Sequence, residues 1–479
     1  MKKNILYILI LIVNISFSNT SSYNKNTLKA RELIFDFKFN QAEKILNNDN
    51  SAQSFYLKSY IYFLKNILVG GEKNFKLYES NFDNIINKIN ELDKKDSLKN
   101  ILKSEIFLQF SIVKLMNKDF ISGSYNFIKS YNLFKESQQK FPNLIQNKKL
   151  SGLYKIIAGI TPENGKKFLD LIGLEGNITD GYKELNKYYI SQKNNKIFKI
   201  EAFTLNKLVF VFLKEDLKLN KFNYKISNEN KLNSSILFTN ILKNFKLGEH
   251  QELIINCKKI NEKHIIEIPI INYFLGISFT IKNTNQSIKY LYKYIKITNT
   301  NHFIKASYWQ LARISILSDK QETFNKLKQF TLNLGETFTE ADKQAEQEAK
   351  TNIIPNKFLL KSRLYFDVKM YNEALLELKK IDKEKLLKQQ QAEYYYRLGR
   401  INYEKEKYKE AKMNFAIVLK NYLSVEKYYI PYSALQMAYI YEKENNQEQA
   451  KEFFKLALKL NNSEYKNSIK HQAKSGLKN

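Results

Sequence analysis

Proline and glycine are scarce in this chain, with 5 and 14 respectively among 479 residues. A sandwich, barrel or doubly wound sheet needs a Gly- or Pro-marked turn every ten residues or so, so these architectures are excluded and long helices joined by short polar turns are favoured. Cysteine is scarcer still. Cys257 stands alone, which rules out an intramolecular disulfide and leaves packing to hold the fold. Its neighbours Ile254, Ile255 and Ile260 predict a buried thiol. Arginine is sparse beside lysine, and arginine is the side chain that bidentate contacts to phosphate or guanine favour. There is no HExxH, no GxSxG and no Cys pair. Of the four histidines, His250 and His264 recur with Cys257 at intervals of seven, about 10 Å per step along a helix and too far to share a metal. His302 and His471 stand apart from them. Carboxylate pairs are too common on helix surfaces to nominate a glycosidase dyad. The sequence therefore predicts no catalytic residue, no metal ligand and no cofactor, and a protein that is not an enzyme.

Apolar side chain, by contrast, is plentiful. A 43% hydrophobic fraction with 32 Tyr and 33 Phe excludes general disorder. The length suits two to four domains or one extended repeat array. The first eighteen residues carry a separate message: Lys2 and Lys3, an apolar run from Ile5 to Phe17, then Ser16-Phe17-Ser18 before Asn19. This is the layout of a signal peptide cleaved after Ser18. The run is about 13 residues, roughly 20 Å as a helix, too short for a hydrocarbon core of about 30 Å. The expectation is an exported chain, periplasmic or secreted, with no transmembrane span after cleavage. Loss of Lys2 and Lys3 takes the formal charge from +30 to +28. Lysine is enriched everywhere, turns included, instead of clustering with aromatics on one face as at a nucleic-acid site. A compositional bias therefore accounts for the charge, no specific nucleic-acid partner is expected, and salt-sensitive polyanion contact is carried as the alternative.

The strongest signal is a repeated spacing. YYYRLGRINYEKEKYKEAKMNFAIVL sets Gly399 twelve residues before Ala411, followed at four by Phe415 and at seven by Val418. YSALQMAYIYEKENNQEQAKEFFKLALKL repeats it with Ala438, Ala450, Phe454 and Ala457. Further copies are read at Ser362, Ala374 and Leu378; at Gly276, Ile288, Tyr292 and Ile295; and at Ala30, Ala42 and Leu46. Two small residues across a turn let two helices approach closely, and large residues beyond the second cover the seam. A lone hairpin cannot bury both faces, so hairpins must stack. The pattern resembles the tetratricopeptide repeat (TPR), whose hallmark small and aromatic residues match Leu398, Gly399, Tyr408, Ala411 and Phe415, and Ala438, Tyr441, Ala450, Phe454 and Ala457.

The stretch AGITPENGKK has Gly159 and Gly165 five residues apart, with Lys167 where a phosphate loop needs a hydroxyl, and no strand precedes it. It reads instead as an elbow: a helix to Gly159, a turn at Thr161-Pro162, a short helix over 166–172, a stop at Gly173 to Gly176, and a helix capped by Thr179 or Asp180. The segment GLYKIIAGITPENGKKFLDLIGLEGNITDGYKEL looks like the mid-chain signature of one TPR branch, the eukaryotic inclusion-body-clearance and mitochondrial outer-membrane-protein family. Residues GETFTEADKQAEQEAKTNIIPNKFLL, SYWQLARISIL and SEYKNSIKHQAKSGL add to that likeness, which implies helices and no catalytic residues.

The expected fold is all-α, a right-handed α-solenoid of TPR-like antiparallel helix pairs. Its expected divisions are the signal peptide 1–18, a polar linker 19–27, degenerate repeats 28–150, the elbow 151–191, central helix pairs 192–350 and C-terminal repeats 351–479. If first helices line a concave face, the stripe flanking each small residue faces the groove: Leu359, Arg363 and Phe366; Tyr396, Arg400 and Tyr403; Leu435, Tyr439 and Glu442 with Lys443. Of these, Arg363, Phe366, Tyr396, Arg400, Tyr403, Tyr439 and Lys443 are the candidate partner-binding residues, since Tyr and Arg anchor peptide interfaces, with Arg363, Arg400 and Lys443 offered to a carboxylate or acidic segment. The expected function is an exported scaffold that binds a protein or peptide partner.

Overall fold

The computed structural model describes residues 23–161, 163–195, 198–217, 231–262, 268–282, 284–351, 353–460 and 466–477. The expected signal peptide lies outside them. Among the described residues there are 24 α-helices and no strand, and no helix is long and apolar enough to cross a membrane. The chain is an α-solenoid. In order, the helices are α1 (Lys25–Phe35), α2 (Phe39–Leu46), α3 (Ala52–Leu68), α4 (Glu72–Asn90), α5 (Lys99–Met116), α6 (Phe120–Lys140), α7 (Ile145–Ile160), α8 (Glu163–Leu171), α9 (Ile178–Gln192), α10 (Lys199–Leu217), α11 (Ser234–Leu247) and α12 (His250–Glu262). They continue with α13 (Pro269–Phe279), α14 (Thr284–Ile297), α15 (Ile304–Leu317), α16 (Gln321–Asn333), α17 (Glu340–Lys350), α18 (Lys357–Asp367), α19 (Tyr371–Lys379), α20 (Lys388–Glu404), α21 (Tyr408–Asn421), α22 (Tyr429–Lys443), α23 (Gln447–Lys459) and α24 (Lys466–Leu477).

Asparagine, serine and threonine cap many of these helices by accepting the orphan N–H groups of the first turn. Asn24 accepts from Thr27, Ser51 from Ser54, Asn356 from Leu359 and Asn446 from Gln449. Helix α1 begins at Lys25, inside the segment expected as a polar linker, and Tyr23 before it is buried.

One turn recurs and fixes the register. Phe37, Lys118, Asp319, Lys369, Glu406 and Asn445 all take φ between +56° and +65°, and Gly248 takes +68°. Each stands two residues before a second helix, and the next N–H reaches back five residues: Lys38 to the Leu33 carbonyl at 2.8 Å, Lys407 to Asn402 at 2.9 Å, Asn446 to Tyr441 at 2.9 Å. This is the left-handed helix cap of the Schellman kind. Seven residues before each turn residue and five after it lie the two buried positions of the hairpin, and that is the origin of the interval of twelve. Ala30 and Ala42, Ser362 and Ala374, and Ala438 and Ala450 are all fully buried. At Gly399 a methyl group would sit 2.5 Å from the Phe415 ring.

The Gly276 hairpin departs from the expected register. Its two inward positions are eleven residues apart instead of twelve, so the buried residues of the second helix are Ser287, Leu291 and Tyr294, not Ile288, Tyr292 and Ile295. The Ser287 hydroxyl donates to the Gly276 carbonyl at 2.6 Å, and Tyr292 is exposed. Residues 151–191 form a hairpin of α7 and α9 with short α8 between them, α9 being capped by Asn177 instead of Thr179 or Asp180. The glycines of this region serve helix contact. A methyl at Gly181 would meet the Gly152 carbonyl at 2.6 Å, and one at Gly159 the Ile178 nitrogen at 2.6 Å.

The solenoid also touches itself across long separations. Asp36 accepts from the Ser234 hydroxyl at 2.8 Å, Ser235 donates to the Phe35 carbonyl at 2.6 Å, and Lys118 pairs with Glu336. A single apolar cluster accordingly runs from Tyr23 to Leu364, whereas the C-terminal hairpins hold smaller clusters of their own.

Candidate functional site: a groove walled by first helices

Successive first helices α11, α13, α15, α18, α20 and α22, joined by α17, enclose a concave cavity of about 610 Å³ between the central helix pairs and the C-terminal hairpins. Its wall is aromatic and cationic, with Phe245, Tyr273, Trp309, Phe366, Tyr396, Tyr428 and Tyr432 beside Lys246, Arg313, Arg363, Arg397 and Arg400. Arginine occurs at only five positions in the chain: 31, 313, 363, 397 and 400. Four of the five stand in this one wall.

Each guanidinium is held by a defined partner. Glu348 on α17 receives Arg363 at 3.0 Å, Trp309 Nε1 at 2.7 Å, Gln344 at 2.6 Å and Arg313. Burial alone would raise the Glu348 carboxyl, but Arg313 and Arg363 hold it well below the usual carboxylate range. Arg397 donates to Glu393 at 2.8 Å. Arg400 lies 4.9 Å from the Phe366 ring centre, donates to the Tyr396 hydroxyl at 3.1 Å and reaches Glu404 only at 3.8 Å. Its Nε is buried without a partner, and its side chain is the most exposed of the four at 25%, against 8% for Arg397. At the far wall, His250 Nδ1 lies 2.7 Å from the Ser278 hydroxyl, and burial pushes the imidazole below its ordinary value.

Of the sequence candidates, Arg363, Phe366, Tyr396 and Arg400 line this cavity. Tyr403, Tyr439 and Lys443 stand apart from it. Lys443 donates to the Tyr408 hydroxyl at 2.8 Å and lies over the Tyr403 ring, while Tyr439 packs edge-on against Phe454 and donates to Gln472 at 3.1 Å on α24. Arg363 is engaged by Glu348 and Lys443 by Tyr408, so neither is a bare cation. Trp309, Arg313, Arg397, Tyr428 and Tyr432 were not foreseen. The scarcity of arginine was visible in the sequence, and asking where those few residues fall would have found Arg313 and Arg397.

Residues 432–464 match the tetratricopeptide repeat, a span that covers the α22–α23 hairpin with its Ala438, Ala450, Phe454 and Ala457. The α22–α23 hairpin is thus similar to a tetratricopeptide repeat. Among solved structures, one described as the APC/C hetero-tetramer Cut9–Hcn1 aligns at 13% identity over 90% of this chain and 92% of that chain, with a TM-score of 0.26. That superposition is too loose to carry residue correspondences. Curated proteins give no match.

Proposed function

We propose that this chain is exported and holds a segment of a partner protein in the groove, without catalysing a reaction. The placement of four of five arginines supports this reading. Composition scatters lysine over the whole surface, but it does not gather the rarest cation in one wall. Arginine offers a planar fork and a stacking face that lysine lacks, and Tyr and Arg are the residues that anchor interfaces. Glu348 and Glu393 fix Arg313, Arg363 and Arg397 as a preorganised frame, and a frame set before binding costs less to order. Arg400, with an unpartnered Nε and Phe366 against its face, is the group that meets the partner, which presents an acceptor next to an apolar side chain. Export rests on the layout of residues 1–18.

A photo-crosslinking amino acid at Phe366, compared with one at Tyr439, tests the groove. The expected result is one partner captured at Phe366 and not at Tyr439, in low and high salt alike. Arg400→Ala then weakens that partner's Kd about tenfold. Equal capture at both sites, or capture only in low salt, overturns the reading. Mass spectrometry of the exported protein is expected to find Asn19 as its first residue; an uncleaved chain retained in the cell overturns export.

A further inference from the structure

Helix α14 is the second helix of its hairpin and contributes nothing to the groove wall. Its sequence, TNQSIKYLYKYIKI, holds three lysines and no carboxylate. Every other second helix of a hairpin among the described residues carries at least one Asp or Glu; α12 has Glu252 and Glu262, α19 has Glu373 and Glu377, α23 has Glu448 and Glu452. The inward side of α14 is set by Ser287, Leu291 and Tyr294, which are buried. The helical period therefore sends Asn285, Lys289, Tyr292, Lys293 and Lys296 outward, and all five are exposed. Tyr292 keeps 47% of its surface in solvent. The one-residue shift of register described above created this ridge: had Ile288 and Ile295 faced inward as expected, the lysines would have turned with them.

We infer that the outer ridge of α14, Lys289, Tyr292, Lys293 and Lys296, is a docking surface for an anionic lipid membrane. Three features favour lipid over nucleic acid. The ridge is the outer face of a helix, with no groove in which a single strand could track. It contains lysine and no arginine, and lysine acts as a point charge in a diffuse surface potential instead of a fork for one phosphate. Its aromatic is a tyrosine amid lysines, the pairing of amphipathic ring and long-stemmed cation that sits at headgroup depth. Because the groove is walled by first helices, docking on α14 leaves it open, and this inference does not depend on what the groove holds.

The test uses the full chain and vesicles of phosphatidylglycerol and phosphatidylcholine in equal parts, against phosphatidylcholine alone. The ratio of the two partition coefficients cancels the contribution of the apolar run Ile5 to Phe17. In the triple variant Lys289→Glu, Lys293→Glu, Lys296→Glu that ratio is expected to fall about a hundredfold. The control is Lys451→Glu, Lys455→Glu, Lys459→Glu on α23, equally exposed and identical in net charge change; it is expected to lose less than threefold, and far-UV circular dichroism checks that both variants fold. Equal losses in the two variants would show that total charge alone drives binding and overturn the assignment. So would a wild-type ratio near one, or an α14 variant that loses affinity for an oligothymidylate strand while keeping its affinity for the vesicles.

Discussion

The N-terminal body and the C-terminal hairpins obtain stability in opposite ways from the same hairpin. In the body, Arg31 on α1, Glu105 on α5, Lys149 on α7 and Glu201 on α10 are buried together with the Tyr56 and Tyr188 hydroxyls. Lys149 reaches Glu105 at 2.9 Å and Glu201 at 3.2 Å, Arg31 pairs with Glu201, and Tyr56 donates to Glu105. Two cations and two anions are thus locked at one point by four helices far apart in the chain, inside a continuous apolar cluster. At the C-terminus the α20–α21 and α22–α23 hairpins pack on their neighbours in sequence, around Phe415 in one cluster and Phe454 in the next. A body tied by distant contacts should lose structure as one unit, whereas a stack of neighbours loses it piecewise.

Breaking the lock gives the largest effect. Glu201→Leu leaves Arg31 and Lys149 buried with a single carboxylate, and removing one partner of a buried pair costs about 3–5 kcal/mol. Hydrogen exchange is expected to accelerate across α1–α10 together while α20–α23 keep their protection; acceleration confined to α10 would show that the body is not one unit. Phe454→Ala, at about 3 kcal/mol, is the counterpart. Its exchange is expected to quicken in α22–α24 alone, and spread as far as α18 would erase the contrast.

Acid should separate the two regions by sign. Burial first, opposed by Lys149 and reinforced by Glu201, pushes Glu105 up to about 7 from an ordinary 4.5. The folded body therefore holds a proton that the unfolded chain gives up. This contribution to stability is complete below about 4.5 and is lost as pH rises through 7. Glu348 runs the other way. Held low by Arg313 and Arg363 against the effect of burial, it stabilises the groove wall above the ordinary carboxylate range, and that stability is lost as pH falls. From pH 7 to 5 the Glu105→Gln variant should lose the body's gain, measured by exchange in α5 and α7. Glu348→Gln should abolish the acid sensitivity of α17 and α18. Responses of the same sign in both regions would refute the assignment.

The sequence made the solenoid legible because its turn is rigid: one left-handed cap fixes seven residues before it and five after, so small residues mark the register wherever the cap is kept. Gly276 misled because the interval there is eleven, and Ser287, bonded to the Gly276 carbonyl, took the place given to Ile288. The pair Ser111 and Gly123 carries the same interval of twelve, with the Ser111 hydroxyl bonded to the Gly123 carbonyl at 2.7 Å, and went unread among the degraded copies. No local pattern announces the lock, since Arg31 and Glu201 look like any helix-surface charges until the superhelix brings them together. At the groove, Arg363, Phe366, Tyr396 and Arg400 of the first-helix stripe line the cavity. One repeat later α24 packs over α22, and the Tyr439 hydroxyl donates to Gln472 there instead of facing the cavity.

The smallest expected effect lies in the caps, where the two regions should agree. Scarcity of glycine leaves Lys118, Lys369 and Glu406 in left-handed backbone with φ of +65°, +61° and +58°, a conformation that costs an L-residue about 1–2 kcal/mol. Glycine removes that cost but gives back about 0.5–1 kcal/mol of unfolded-state entropy, so Lys118→Gly in the body and Glu406→Gly at the C-terminus should each stabilise by about 0.5 kcal/mol. Lys118 also pairs with Glu336, so its gain should be the smaller by the worth of a half-exposed ion pair, a few tenths of a kcal/mol. Urea midpoints of the two variants measure this. A loss at Glu406→Gly would mean that its side chain contributes more than its backbone costs, and the shared cap would then not be the element that sets the register in both halves of the chain.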